Sequence, residues 1–321
     1  MKGVWLENKR FSLRTDLPNP KETADTEVLL KVRRAGICRT DIELSKGYYP
    51  YCGVVGHEFV GTVVPQDGVD PKLVGRNVVG EINCVCHNCH FCRRNIRNHC
   101  QNRTVMGLIG RHGTMAEYLT LPVENLHVIA DTLSLEEACF AEPLAAALEI
   151  QEQVSIGIED RVVVIGDGKL GLLIAQTLAL TGCQLTVVGG HKEKLAILEK
   201  RDIRTTVDRD SLKPDSFDFA VECSGNPAAF EAAMQWLRPR GTLIMKSTYA
   251  SKLTINAEPI VVKELSVIGS RCGPFAKAIK VLEQGLIDVK SLIAAEFPIE
   301  KAIEAIDFAQ KPGTLKVQLV M

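Results

Sequence analysis

Four closely spaced cysteines form the strongest chemical signal in the sequence. Cys86, Cys89, Cys92 and Cys100 follow a C-x2-C-x2-C-x7-C pattern. Thiolates at this spacing can converge on one ion, and four of them fit a closed tetrahedral zinc site. An iron–sulfur cluster is the main alternative, but the bacterial cluster motif ends in a C-x3-C gap followed by Pro. Here the final gap is longer and Gln101 follows it, so the pattern predicts a structural zinc ion.

Further histidines and a cysteine lie close to the same run. We predict that they are not ligands, because the four cysteines already give the regular spacing; these neighbours are Cys84, His87, His90 and His99. A nucleic-acid-binding zinc ribbon is a second alternative. The arginines near the run lack aromatic partners beyond Phe91, so a solvated loop face is the better interpretation.

A second group of candidate ligands is spread through the first half of the chain. It consists of Cys38, the adjacent pair His57 and Glu58, and Glu142. Each is weak evidence alone: a lone Cys is commonly a small buried hydrophobic residue, and Glu142 could simply be an acid at a helix start. A catalytic zinc takes about three protein ligands and keeps one position open. The combination therefore indicates a catalytic metal site.

A glycine fingerprint follows in the second half of the chain. Gly166, Gly168 and Gly171 spell G-x-G-x-x-G directly after the apolar run RVVVI and open a helical run. This context is typical of a dinucleotide-binding turn, in which the glycines let the backbone approach a pyrophosphate. The alternative is a Gly-rich turn that binds no nucleotide. We predict that Lys169 and Leu170, inside the fingerprint, contact the cofactor together with the glycines.

The elements that must position these residues change in character along the chain. Residues 1 to about 145 are predicted to be mostly β, with runs such as VLLKVRRAGI and FVGTVV between Gly- and Pro-marked turns. From about residue 160 strands alternate with helices, which predicts a doubly wound parallel sheet in an α/β fold. Two helical segments and a final strand, LKVQLVM, then follow, and we expect that strand to pair within the β-rich part. The predicted domains are 1–145 and 146–270, with 271–321 returning to the first domain.

Composition narrows the functional class. The chain has 321 residues, 46% of them hydrophobic, and a formal net charge of −1. This length favours two domains, and no basic stripe indicates nucleic-acid binding. No apolar stretch reaches the roughly 20 residues of a membrane span, and the N-terminus lacks the apolar segment of a signal peptide. With 11 cysteines and no export signal, we expect a cytoplasmic protein whose clustered thiols bind metal instead of forming disulfides.

Taken together, these motifs resemble those of zinc-containing medium-chain dehydrogenases of the alcohol, sorbitol and threonine dehydrogenase type. The resemblance runs essentially end to end, through GICRTD, GHEFVGTVV, the four-cysteine run, GTMAEYLTLP, AEPLA and GDGKLG. It implies a discontinuous GroES-like catalytic domain, an inserted Rossmann domain and an active site in the cleft between them. It further implies two zinc ions per chain, a small alcohol or carbonyl substrate, and a homo-oligomer, either dimeric or tetrameric.

The resemblance also implies roles for individual residues of the catalytic centre. Cys38 and His57 match catalytic zinc ligands, and Glu142 matches a Glu that lies near the zinc in the polyol and threonine branch. Glu58 matches a residue that binds the metal directly or stands behind a bound water. Thr40 matches the hydroxyl residue that begins a proton relay.

The neighbours of Thr40 carry further expectations. Asp41 matches an acid that orients the zinc-bound His, and Arg39 matches a pyrophosphate-binding Arg of some alcohol dehydrogenases. Glu43 stands where many relatives have a His, so the outer end of the proton relay differs from the usual one.

The chain is thus predicted to be an alcohol dehydrogenase, with secondary alcohols or polyols favoured. A zinc-independent quinone reductase and a non-catalytic zinc-stabilised protein of the same fold are the alternatives.

The cofactor preference is predicted from the strand that follows the fingerprint. In NAD-specific Rossmann folds an Asp or Glu about 20 residues after the glycines binds the ribose 2′-hydroxyl. Here the aligned position is Gly189. The missing carboxylate predicts NADP as the preferred cofactor and NAD as the second, and we expect Gly189→Asp to shift the preference toward NAD. The residues predicted to surround the adenosine ribose are Gly189, Gly190, His191, Lys192 and Lys194.

Overall fold

The computed structural model describes residues 1–20, 27–249 and 252–321, which form two compact units. Unit 1 comprises Met1–Glu142 and Phe275–Met321, and unit 2 comprises Pro143–Pro274. The chain therefore leaves unit 1, builds unit 2 and returns. The boundaries predicted from the sequence, at 145/146 and 270/271, lie within a few residues of these limits.

Strands dominate the described part of unit 1, whereas strands alternate with helices in the described part of unit 2. The strands are β1 (Gly3–Glu7), β2 (Arg10–Arg14), β3 (Glu27–Ile37), β4 (Gly53–Val54), β5 (Glu58–Val63), β6 (Asn77–Gly80), β7 (Asn83–Cys84), β8 (Thr104–Met106), β9 (Gly110–Arg111), β10 (Tyr118–Pro122), β11 (Leu126–Val128), β12 (Arg161–Ile165), β13 (Gln184–Val188), β14 (Arg204–Thr206), β15 (Phe217–Glu222), β16 (Leu237–Met245), β17 (Ser266–Gly269), β18 (Ile293–Pro298) and β19 (Lys316–Val320). The helices are α1 (Arg39–Ser45), α2 (His90–Arg93), α3 (Leu135–Ala138), α4 (Ala141–Gln153), α5 (Lys169–Ala179), α6 (Lys192–Glu199), α7 (Pro227–Trp236), α8 (Glu258–Val262), α9 (Phe275–Glu283) and α10 (Ala302–Ala309).

The main sheet of unit 1 has the order β11-β6-β5-β3-β19-β18, and β10 also pairs with β3. Along β3, Val28, Leu30 and Val32 are buried whereas Lys31 is exposed, which is the period-2 pattern of a strand with one face toward a core. The C-terminal strand β19 pairs antiparallel with β3. That pairing confirms the expectation that the final strand joins the β-rich part.

Unit 2 is built on a parallel sheet of order β14-β13-β12-β15-β16-β17. In chain order this is 3-2-1-4-5-6, the Rossmann arrangement, in which dinucleotides bind where the strand order reverses. The central strand β12 reads RVVVI, and Val162, Val163 and Val164 are fully buried. A strand covered by helices on both faces has this continuous apolar character. The predicted doubly wound α/β fold is confirmed.

The helices of the described residues are short or carry polar faces. None of them combines the length and the apolar character that crossing a bilayer requires.

Candidate metal centres and nucleotide-binding turn

Strand pairing brings three of the predicted ligands together in unit 1. In the register of β3 and β5, Gly36 lies opposite Glu58. Cys38 follows β3 and is the N-cap residue of α1, while His57 immediately precedes β5. As a result, ligand-type atoms of Cys38, His57 and Glu58 all lie within 4.8 Å of one another.

Asp41 supports two of these residues from the first turn of α1. Its Oδ2 accepts a hydrogen bond from the Cys38 backbone N–H at 2.8 Å, and its Oδ1 lies 3.1 Å from His57 Nδ1. With Nδ1 facing the carboxylate, Nε2 is the imidazole nitrogen left for a metal ion. Burial lowers the pKa of His57, but the charges of Asp41 and Cys38 outweigh burial and raise this pKa well above its usual value. A bound cation would oppose that shift, because a ligand His must be neutral.

Glu58 takes part in a buried ion pair that sequence reasoning missed. Its Oε2 accepts a hydrogen bond from Nζ of Lys316, the first residue of β19, and the two side chains are 1% and 2% exposed. Burial lowers the pKa of Lys316, but the negative charges of Glu58 and Cys38 raise it, and the net pKa lies above its usual value. The available signal in the sequence was a lone cation heading the apolar strand LKVQLVM.

The residues of this cluster fit a zinc ion. His57 Nδ1 and Asp41 Oδ1 face each other at 3.1 Å, whereas Glu58 Oε1 is one of the buried polar atoms, among the described residues, that complete no hydrogen bond. Such atoms are rare in folded proteins and call for an unseen partner. A thiolate, an imidazole and a carboxylate are also the donor types that catalytic zinc sites use.

The remaining predicted residues of the catalytic centre lie on α1 and α4. Thr40 Oγ1 lies 3.7 Å from Cys38 Sγ, so this hydroxyl is next to a candidate ligand. Arg39 is largely exposed and its Nε lies 2.7 Å from Glu43 Oε1. Glu142 is near the start of α4 and is not one of the three residues that cluster among those described. The predicted pyrophosphate contact of Arg39 and the ligand role of Glu142 therefore stay predictions.

The buried ion pair between Glu58 and Lys316 leads to a testable prediction about stability. We expect Lys316→Met to lower the free energy of unfolding by about 3–5 kcal/mol, because it leaves Glu58 buried without its cation. Urea denaturation of protein whose Cys38 cluster holds no zinc measures this, because a zinc ion there would itself compensate the charge of Glu58. Adding Glu58→Gln to Lys316→Met should recover part of the loss, since no uncompensated charge then remains buried.

A matched control uses a lysine that is not buried. Lys280 lies on α9 and is exposed, so Lys280→Met should change the free energy of unfolding by no more than about 0.5 kcal/mol. If Lys316→Met is as mild as Lys280→Met, the buried pair does not contribute to stability as argued.

The four cysteines of the C-x2-C-x2-C-x7-C run converge in a separate part of unit 1. Their sulfurs all lie within 4.8 Å of one another, with 3.5 Å between Cys89 and Cys92, 3.8 Å between Cys89 and Cys100, and 3.4 Å between Cys86 and Cys100. These separations are far longer than a disulfide bond. They approach the spacing of about 3.8 Å that four Zn–S bonds of about 2.3 Å give in a tetrahedron.

Backbone groups around this cluster favour the thiolate form of Cys86 and Cys89, whereas burial and the neighbouring thiols raise the pKa of Cys92. Hydrogen bonds from the backbone N–H groups of Cys92 and Gln101 lower the pKa of Cys89 to about 6. The pKa of Cys86 is also lowered, first of all by the Asn88 backbone N–H. Thiolate is the metal-binding form of cysteine, so this loop is organised for a metal ion. Cys84 is buried nearby but lies outside the four-sulfur cluster found among the described residues.

The glycine fingerprint of unit 2 forms the turn that its spacing predicts. Gly166 has a φ of +133°, which favours glycine. A Cβ at Gly171 would lie 2.1 Å from the Gly166 carbonyl oxygen, so only glycine allows the helix to approach the turn. Gly168 is the N-cap of α5, which begins with Lys169 and Leu170. The backbone N–H groups at this helix start suit the pyrophosphate of a dinucleotide.

The end of β13 differs from the sequence-based expectation in one respect. A Cβ at Gly189 would lie 2.7 Å from both Cβ and Oδ2 of Asp167, so Gly189→Asp would have to displace the Asp167 side chain, and the shift toward NAD expected from that change stays a prediction. Asp167, inside the fingerprint, also contacts Gly190, His191 and Lys194. A carboxylate is therefore present at this strand end after all, supplied by a residue that sequence reasoning passed over. Lys192 is exposed.

Comparison with protein-family models gives two matches along the chain. The family described as alcohol dehydrogenase GroES-like domain matches residues 24–131, and the family described as zinc-binding dehydrogenase matches residues 170–285. The first match contains Cys38, His57 and the four-cysteine run, and the second begins inside the glycine fingerprint.

Comparison with individual proteins gives similarities over almost the whole chain. The chain is 31% identical to D-arabitol-phosphate dehydrogenase of Enterococcus avium, over 99% of this chain and 97% of that protein. It is 30% identical to erythritol/L-threitol dehydrogenase of Mycolicibacterium smegmatis, over 92% of this chain and 90% of that protein. A structure from Sinorhizobium meliloti 1021, described as a zinc-binding dehydrogenase bound to NADP, is 27% identical with a TM-score of 0.91, covering 100% of this chain and 99% of that one.

Proposed function

Because the chain belongs to the zinc-containing medium-chain dehydrogenases, we propose that it oxidises a secondary alcohol or a polyol, or reduces the matching carbonyl compound, with a nicotinamide cofactor. It is an alcohol oxidoreductase, and the proposal concerns its substrate class, its cofactor preference and the roles of its residues. The observation that carries the proposal is the convergence of the half-buried Cys38 with the buried His57 and Glu58. The relatives that act on D-arabitol phosphate and on erythritol or L-threitol support a polyol-like substrate.

The residues of unit 1 divide the catalytic work between them. Cys38 and His57 would hold the catalytic zinc, with Glu58 and Glu142 as the carboxylates of the site. When bound, zinc supplies Lewis-acid stabilisation of negative charge on the substrate oxygen. Asp41 holds the His57 ring in the orientation that presents Nε2, and Lys316 fixes one carboxylate oxygen of Glu58.

A panel of substrates tests the proposed activity. Secondary alcohols, polyols, polyol phosphates and the matching ketones are offered with NAD or NADP to the zinc-loaded protein, and nicotinamide absorbance is followed. Turnover of at least one polyol-like compound above primary alcohols is the expected result. Turnover confined to quinones, or none with any alcohol or carbonyl compound, would overturn the proposal.

The position of Thr40 gives a prediction about proton transfer. Its hydroxyl oxygen lies 3.7 Å from Cys38 Sγ, so we propose that it accepts the substrate hydroxyl proton and passes it outward. Thr40→Ser should then keep most of kcat, and Thr40→Val should lower kcat by about 100-fold, because positioned proton transfer contributes roughly 10²–10⁴ to rate. Steady-state kinetics of the two variants provide the measurement. A hydroxyl that only packs or caps predicts that both variants keep wild-type kcat.

The number of zinc ions distinguishes catalytic from purely structural metal. We propose two per chain, one at the Cys38 cluster and one at the four cysteines. Metal analysis of the purified protein by mass spectrometry is expected to give two zinc ions per chain. A value of one would leave only a structural metal, and a value of zero would favour the quinone reductase alternative.

For the cofactor, we propose that NADP is preferred and NAD is also used. Gly189 contributes no carboxylate of its own, Lys194 is close to this strand end, and the Sinorhizobium meliloti structure holds NADP. The Asp167 carboxylate beside Lys194 opposes the preference. Values of kcat/KM with each cofactor on one substrate test it, and a clear advantage for NAD would contradict it.

We further propose a cytoplasmic homo-oligomer. Every cysteine lies among the described residues and none forms a disulfide, which suits a reducing compartment. The edge strand β17 of the parallel sheet exposes Val267, and α8 beside it in sequence exposes Val261 and Val262, which are 77% and 73% exposed. Exposed apolar groups beside a strand edge are typical of a surface covered by another chain. Light scattering coupled to size-exclusion chromatography tests the assembly, and a monomer at micromolar concentration would contradict it.

A further inference from the structure

The end of β13 contains a small anion-binding arrangement that the mechanism does not use. The backbone N–H groups of Gly190 and His191 both point at one oxygen, at donor–acceptor distances of 2.7 Å. The His191 ring nitrogen Nδ1 lies 3.0 Å from the same oxygen, and Lys194 Nζ lies 3.6 Å from the neighbouring oxygen. Two backbone donors, an imidazole and an ammonium group that meet in this way form a site for an anion.

The anion that fills this site belongs to the chain itself. Both oxygens belong to the carboxylate of Asp167, which is only 8% exposed. Burial raises the pKa of Asp167, but hydrogen bonds from His191 and Gly190 and the charge of Lys194 bring it below its usual value. Asp167 is therefore ionised at neutral pH.

The side chain of Asp167 fills the space beside Gly189. Any side chain at Gly189 would collide with the Asp167 side chain at 2.7 Å and with Leu195 at 2.9 Å. The carboxylate that other Rossmann folds carry at the strand end is thus replaced here by one that reaches the same place from the glycine fingerprint. It lies where the second strand of a Rossmann fold meets the adenosine ribose.

We propose that Asp167 occupies the position that a ribose 2′-phosphate would need, and that it thereby weakens the binding of NADP relative to that of NAD. This inference rests on the proposed dinucleotide-binding function of unit 2. A 2′-phosphate would compete with the carboxylate for the same N–H donors and for Lys194, and the two anions would repel each other at short range. A 2′-hydroxyl, in contrast, can donate to the carboxylate oxygen. The cofactor preference of the wild type is then the balance between Lys194 and Asp167.

The test compares nucleotide binding with catalysis in zinc-loaded protein. For Asp167→Asn we expect affinity for 2′,5′-ADP to rise by about tenfold or more relative to ADP in isothermal titration calorimetry, because a negative charge beside the phosphate is removed while an acceptor oxygen remains. The ratio of kcat/KM for NADP over NAD should rise by a similar factor. Lys194→Gln added to Asp167→Asn should cancel most of the gain.

A control variant separates this local effect from general electrostatics. Glu193 is exposed on α6, the helix that carries Lys194, and Glu193→Gln removes one negative charge outside the site. The ratio of kcat/KM for NADP over NAD in this variant should therefore stay within about twofold of the wild-type ratio. If Asp167→Asn unfolds, Asp167→Ser provides the same test with a smaller acceptor.

Two results would overturn the inference. If Asp167→Asn binds ADP normally but leaves the ratio of kcat/KM for NADP over NAD unchanged, Asp167 does not discriminate between the cofactors. If the variant binds ADP and 2′,5′-ADP equally more weakly, Asp167 only holds the loop in place. If neither nucleotide binds the wild type, the proposed dinucleotide function fails and this inference fails with it.

Discussion

Replacing His57 by alanine is expected to abolish alcohol oxidation and to remove the catalytic zinc while the fold is retained. His57 is one of three ligand-type side chains in the buried cluster of unit 1, and with only about three protein ligands a catalytic zinc is poorly held once one is lost. The zinc content should be one ion per chain lower than in the wild type, for which we propose two, and kcat/KM should fall below detection. Metal analysis, circular dichroism and steady-state kinetics of the same preparation measure all three properties.

Two companion variants make this expectation specific. Asp41→Asn keeps every ligand but weakens the contact that orients His57, so it should lower kcat/KM or zinc affinity by about 10–100-fold. His127 is a partly buried histidine of unit 1 that pairs with Glu81 at 2.9 Å, away from the cluster, and His127→Ala should retain activity. Wild-type turnover in His57→Ala would remove the zinc mechanism altogether.

Replacing Cys89 by serine is expected to release the second zinc and to destabilise the protein by several kcal/mol. Its sulfur lies 3.5 Å from Cys92 Sγ and 3.8 Å from Cys100 Sγ, within the four-sulfur cluster. Structural zinc bound to small peptides contributes about 10–16 kcal/mol of folding free energy at neutral pH, and a serine oxygen is a much poorer ligand. Thermal melting with and without a chelator, together with zinc analysis, measures the effect.

Cys84 supplies the matched control for this variant. It is buried close to the four-cysteine run, at 7% exposure, but it is not part of the four-sulfur cluster. Cys84→Ser should therefore leave the zinc content unchanged. Its free energy of unfolding should fall by only roughly 1–3 kcal/mol, because a hydroxyl is buried in place of the thiol. If Cys84→Ser loses zinc and Cys89→Ser does not, the ligand assignment from spacing is wrong.

Local patterns in the sequence were sufficient for the fold class and for part of the site. The four cysteines lie within one short segment, so their spacing alone restricts them to one loop. The run RVVVI and the glycines after it predicted a strand, a turn and a helix start, because such signals depend only on neighbouring residues. The Rossmann sheet and the β-rich remainder of the chain followed from the same kind of evidence.

Residue type indicated Cys38, His57 and Glu58 as candidate metal ligands, and the resemblance to known dehydrogenases gave them their individual roles. No local pattern in the sequence predicts that the side chains of Cys38 and His57 lie close together. Their convergence depends on the antiparallel register of β3 and β5, in which Gly36 lies opposite Glu58. Pairing between strands is decided by the packing of the whole sheet, so single-sequence patterns do not fix it.

The partners of the buried charges were decided by tertiary structure alone. Lys316 is 258 positions from Glu58 in the sequence, and it reaches the site because β19 returns to pair with β3. Asp167 is 24 positions from His191, and its carboxylate fills the strand end that Gly189 leaves open. A charged side chain in the interior must find an opposite charge or a hydrogen-bond donor to offset its desolvation. Which partner it finds depends on the three-dimensional fold. This is why the sequence identified the class of chemistry but not Lys316 and Asp167, the residues that pair with the buried charges and donors.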